Sequence, residues 1–171
     1  MAVDMVLLGF LRQGPRHGYD LTHEFLPGTV LGDIVHLEPS LLYANLKKLE
    51  RDGLVRSTVQ PQGARPPRRM LELTDLGAET LDRWLAEPVE RTRDLRLDFL
   101  LKLYVTRMLG AGDAERLVAG QREVCRRFVA SLRAQLDEED DDFRRLVLEM
   151  RLAQNAALLG WLDRASERVR A

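Results

Sequence analysis

The apolar residues of this chain recur at helical spacing almost throughout, except for one stretch, Leu54 to Leu73, where the period becomes that of a strand. One strand-period island in a helical sequence leaves room for a single hairpin. Before it, Val3, Leu7 and Phe10, with Leu8 and Leu11, mark a first helix that Gly14-Pro15 stops. A second begins near His17, carries Leu21, Phe25 and Leu26 inward, and ends at Pro27-Gly28. A loop with the apolar run Val30 to Val35 leads to a third helix, Pro39 to Asp52. Proline suits a first helical position because its missing N–H was unpaired anyway, and Gly53 suits the position just past the end. Two strands, Leu54 to Val59 and Arg69 to Leu73, flank a loop over 60–68 that holds Pro61, Pro66 and Pro67. Thr74 then caps a fourth helix, Asp75 to Glu87, which carries Leu81, Trp84 and Leu85 and ends at Pro88.

From Asp94 onward the pattern is helical only. One segment, Asp94 to Leu109, carries Phe99, Leu100, Leu103 and Tyr104, and Gly110 to Asp113 breaks it. Asp113 caps the next helix, which has Leu117, Val124, Phe128 and Leu132 on one stripe. The acidic run Asp137 to Asp142 reads as a solvated turn before a last helix with Leu146, Met150, Ala153, Ala157 and Trp161 on one face. The expected fold is mainly α. Three helices followed by a hairpin and a fourth helix lead one to expect a winged helix-turn-helix over 1–88, followed by an all-α region over 89–171.

The formal net charge of -1 hides a local asymmetry. Between residues 47 and 69, Lys47, Lys48, Arg51, Arg56, Arg65, Arg68 and Arg69 face only Glu50 and Asp52. A nucleic-acid binder needs such a patch, not a basic whole chain. On the third helix, Leu42, Leu46 and Leu49 cluster on one side, while Ser40, Tyr43, Ala44, Lys47, Lys48 and Arg51 occupy the other. Short residues near the helix start suit base edges, and cations further along suit phosphates. Arg65, Arg68 and Arg69 lie on or beside a loop stiffened by proline, as a basic wing would.

Other chemistry is poorly supported. His17, His23 and His36 have no cysteine or paired carboxylate at ligand spacing, so neither metal nor cofactor is expected. His17 reads as a structural hydrogen-bonding histidine beside the second helix. Cys125, the one cysteine, lies on an apolar stripe and reads as a buried, inert thiol. Phosphate-binding glycine loops and nucleophile elbows are absent, so the chain is not expected to be an enzyme. Residues 1–11 include Asp4 and lack a basic start, unlike a secretory signal. No run of about 18 apolar residues could span a membrane. A cytoplasmic setting is expected.

The sequence resembles the PadR family of bacterial transcriptional regulators. The resemblance lies in Leu7-Leu8-Gly9-Phe10-Leu11, in Gly14-Pro15-Arg16-His17-Gly18-Tyr19-Asp20-Leu21, and in the segment from Leu42-Tyr43 to Gly53-Leu54-Val55. It continues through Leu73-Thr74-Asp75-Leu76-Gly77 and Asp98-Phe99-Leu100-Leu101-Lys102-Leu103, the last resembling the family's long form. It implies a homodimeric repressor that binds double-stranded DNA at an inverted repeat and is released by a small hydrophobic or aromatic effector. Two departures bear on operator contacts. Met70-Leu71 stands where the family usually has tyrosine, and Glu38-Pro39-Ser40-Leu41 where Ser-Pro-Gly-Thr is common. The family precedent also makes Leu146, Met150, Ala153, Ala157 and Trp161 dimer candidates, with Leu7 and Phe10 opposite; intrachain packing is the competing role for each. Phe99, Tyr104 and Trp161 are the aromatic candidates for an effector site, with core packing again the alternative. A winged helix that contacts only an acidic protein partner is the other functional reading.

Overall fold

The computed structural model describes residues 2–62, 65–110 and 114–170. They form two compact units, Met1–Glu87 with Leu97–Ala111, and Pro88–Arg96 with Gly112–Ala171.

The first unit is built around helix α1 (Ala2–Arg12), whose Val6, Leu7, Leu8, Phe10 and Leu11 are all buried. Burying an aliphatic side chain of this size stabilises by about 1.5–3 kcal/mol before conformational entropy is subtracted. A two-residue strand, β1 (Arg16–His17), comes next, and then the short helix α2 (Gly18–His23). His17 is structural as expected: its Nδ1 accepts from the Tyr19 N–H at 3.1 Å and caps α2. Phe25 is buried, but Leu26, expected inward, is 47% exposed, because α2 ends at His23 and its helical phase does not extend that far. The expected loop over 30–35 contains a helix, α3 (Val30–Ile34), whose first turn is closed by the Gly32 N–H donating to Thr29 Oγ1 at 2.9 Å. Five residues are too few for periodicity to reveal.

Helix α4 (Pro39–Arg51) begins with proline at its first turn, and its N-cap residue Glu38 makes no side-chain cap. It stops where Gly53 takes φ +75°, a conformation that strains any residue with a Cβ. The hairpin comprises β2 (Val55–Gln62) and β3 (Arg65–Leu73), joined by β1 in the antiparallel order β1-β3-β2. Its strands therefore run well into the segment read as a loop. Proline is tolerated there because β1 pairs only at Leu71 and Met70, leaving the outer hairpin with free edges. Pro61 itself falls at a register irregularity between Gln60 and Gln62. Helix α5 (Asp75–Ala86) is capped by Thr74, which accepts from the Gly77 N–H at 3.0 Å.

A 3-10 turn (Thr92–Asp94) and a π-helical turn (Leu95–Phe99) precede α6 (Leu100–Met108), where one continuous helix was expected. A domain boundary at 88/89 would place α6 with the tail, yet the compact units group Leu97–Ala111 with the first. The cause is apolar packing: Leu101 and Val105 are fully buried in the core around α1, and the Tyr104 ring meets Phe10 edge-on at 6.3 Å. Lys102, also buried, donates through Nζ to the Trp84 and Glu87 carbonyls and so closes the end of α5.

The second unit is chiefly the pairing of two long helices, α7 (Ala114–Asp137) and α8 (Asp142–Arg170). Buried Leu117, Val118, Val124, Val129 and Leu132 on α7 share this unit with buried Leu148, Asn155 and Leu162 on α8. Cys125 is fully buried, and burial pushes its thiol pKa up, which makes it a poor nucleophile. Gln121 donates to the Val89 carbonyl and accepts from the Val89 N–H, both at 2.9 Å, fastening the start of the unit to α7. The expected cap Asp113 lies outside the described residues. No helix is long and apolar enough to cross a membrane among the described residues.

Candidate nucleic-acid interface

Helix α4 separates a dry side from a wet one. Leu42, Leu46 and Leu49 are buried, while Ser40, Leu41, Tyr43, Ala44, Lys47 and Arg51 are exposed. Tyr43 is held in place from below: a Cβ on Gly18 would lie 2.9 Å from its Cε1, so the ring rests on bare backbone. Lys47 has no ion pair among the described residues, and Arg51 reaches only its neighbour Asp52, at 3.1 Å.

Lys48 differs from its neighbours. Sequence pattern groups it with the DNA-facing cations, but its Nζ donates to Asp4 Oδ2 on α1 at 2.8 Å, and the Asp4 side chain is only 5% exposed. The hydrogen bond to Asp4 and the charge of that carboxylate hold the lysine pKa above its ordinary value. A buried carboxylate needs such a partner, which holds the Lys48 ammonium against Asp4 although its side chain stays partly exposed.

The wing is fastened to α4 by another carboxylate. Glu50, in the last turns of α4, accepts from Ser57 Oγ on β2 at 2.6 Å and from Arg69 on β3. The Ser57 hydroxyl and then the Arg69 guanidinium hold its carboxyl below the usual range. Arg69 is therefore tied to the root of the wing while half exposed. Tyr43, Leu46, Lys47, Glu50, Arg69 and Leu71 line a cleft of about 220 Å³ between α4 and that root. Arg65 and Arg68 lie in β3 with side chains outside those described. Sequence reasoning missed two members of this face. In the sequence Glu50 counts only as a charge set against the basic ones, and Ser57 carries no signal, because the contact between them requires the folded hairpin.

On α8, Leu146 and Met150 are 61% and 63% exposed, Ala153 and Ala157 are exposed, and Trp161 is partly buried. Phe143 and Val147 extend the same apolar face, opposite the buried Leu148, Asn155 and Leu162. Leu7 and Phe10, expected across an interface from this face, are core residues of the first unit, enclosed by the helices around α1. Phe99 is buried and Tyr104 partly so, both in the first unit, whereas Trp161 belongs to the second. Among the described residues no cluster of His, Cys, Asp and Glu could hold a metal.

Residues 7–83 match the Transcriptional regulator PadR-like family, and residues 95–170 match the Virulence activator alpha C-term family. The chain is 33% identical over 117 residues to the Negative transcriptional regulator PadR of Bacillus subtilis, covering 67% of this chain and 62% of that one. It is 30% identical over 93 residues to a probable transcriptional regulator of Mycobacterium tuberculosis, covering 54% of this chain and 48% of that one. The matched stretches thus span less than two thirds of either relative. Among solved structures, Bacillus subtilis PadR in complex with operator DNA is similar at a TM-score of 0.48, with 26% identity over 97% of each chain.

Proposed function

The chain belongs to the PadR-like family of transcriptional regulators, and from that premise we propose that it is a repressor that binds an inverted-repeat operator as a homodimer. The observation that carries this reading is the exposed face of α4, with short residues at its start and the exposed Lys47 further along, above a leucine side fixed in the core. A helix so anchored can enter a major groove without reorganising, its first turns near base edges and its cation near phosphates. The hairpin beside it carries further arginines to the backbone. DNA-contact roles go to Ser40, Tyr43, Ala44, Lys47, Arg51, Arg65, Arg68 and Arg69.

The apolar face of α8, centred on Leu146 and Met150, is the proposed meeting surface of the two copies. A small hydrophobic or aromatic effector is proposed to release the protein by favouring a dimer geometry whose two reading helices no longer match the half-sites. The proposed place of action is the cytoplasm.

Footprinting of the purified protein on the DNA upstream of its own gene tests the reading. The expected result is one protected palindrome with half-sites about one helical turn apart, and affinity that falls steeply with salt. Protection nowhere, together with binding to an acidic protein through the same basic face, would replace it with the protein-interaction reading.

A further inference from the structure

Glu50 is an odd residue to find on a surface meant for phosphate: its charge repels the ligand, and it lies in the middle of the basic stretch. Its contacts suggest why it is there. Ser57 pairs across the hairpin with Leu71, and Arg69 pairs with Val59, so Ser57 and Arg69 lie on one face of adjacent strands. Glu50 reaches both from the helix, so a single carboxylate joins three elements: α4, β2 and β3. Beyond this point β3 continues for four residues, to Arg65. At about 3.3 Å per residue that arm is roughly 13 Å long. A tilt of about 10° at the root therefore becomes a displacement of about 2 Å near Arg65, enough to break a phosphate hydrogen bond.

From this geometry we infer that Glu50 is a positioning residue that sets the angle of the wing against the reading helix, so that its negative charge strengthens operator binding instead of opposing it. The inference rests on the DNA-binding reading, and its sign separates it from the alternatives. If Glu50 acted only through its charge, removing it would tighten binding to any duplex. If it merely sequestered Arg69, removing it would free a cation and tighten binding again. As a clamp, its loss weakens binding.

The test uses a duplex selected from a random library by the full-length protein. Failure of the wild type to select any sequence overturns the DNA-binding reading itself, independently of Glu50. Given a selected duplex, Glu50→Ala should lower affinity about fivefold to tenfold, the worth of one or two phosphate contacts, and make the salt dependence shallower by about one unit. Its binding to an unrelated duplex should stay level or rise. Ser57→Ala, which removes one anchor without changing charge, should weaken the selected complex about two- to threefold, as loss of one hydrogen bond would. Glu50→Gln, equal in length and still an acceptor, should recover part of the loss. Unfolding curves for each variant, with binding measured well below the melting range, keep a folding defect from imitating the effect. Tighter or unchanged binding by Glu50→Ala, or an unaltered salt slope, would overturn the clamp.

Discussion

Lys47 and Lys48 are adjacent, chemically identical and about 100° apart on one helix, yet their roles differ. The sequence places both on the polar side of α4; it cannot show that Asp4, 44 residues earlier, lies beneath only one of them. Lys47→Ala is expected to leave stability within about 0.5 kcal/mol of wild type, as for most surface changes. The same variant should lower the slope of log affinity against log salt by about 1. Lys48→Met should act the other way round. It strands a buried carboxylate and costs about 2 kcal/mol in urea unfolding, less than a fully buried pair because Lys48 is itself 43% exposed. The pH signs differ between the two carboxylate contacts. The lysine pKa is raised in the folded state, so the stabilisation from Asp4 is fully present below the ordinary value of 10.5 and is lost as the pH rises through the higher folded value. The Glu50 pKa is lowered, so its contribution is present above 4.5 and is lost as the pH falls through the folded value. Unfolding midpoints of the wild type and of Asp4→Asn, compared from pH 8 to 11, check the first of these: the gap between the two should narrow at the alkaline end.

Elements were legible where period and punctuation agreed. Proline at the first turn and glycine past the last delimited α4 to within a residue, and Thr74 announced α5. Helix α3 escaped because one turn has no period, and the outer hairpin escaped because prolines read as a loop are compatible with a free strand edge. The start of α5 also holds a packing constraint that no pattern reveals. A Cβ on Gly77 would lie 2.2 Å from the Leu54 carbonyl oxygen, which is backbone and cannot rotate away. Gly77→Ala should therefore cost about 3 kcal/mol or more, read as a drop in melting temperature, whereas the same change at exposed, mid-helical Gly120, with open space around it, should stabilise by about 0.5–1 kcal/mol. Helix α8 carries apolar side chains on two opposite faces, and among the described residues only the one with Leu148 and Leu162 is buried. Leu146→Asp leaves the pairing with α7 untouched and should shift sedimentation towards the monomer; an intact dimer would remove α8 from the proposed interface.

Across the whole molecule, the sequence suggested a cut after Pro88, and the compact units run differently because α6 returns to the core around α1. Pattern analysis sees where helices begin and end but not which partner a later helix chooses. If the DNA reading holds, two chains should occupy each operator, measurable as the mass of the complex in solution. The smallest piece of chain that could read DNA is then larger than the reading helix and wing together. His17 ends β1, opposite Met70 on β3, and at the same time starts α2 through its ring nitrogen. A peptide trimmed to residues 39–73 would lose that joint along with the leucine-lined floor under α4, so grafting the reader onto another scaffold means transplanting everything back to α1.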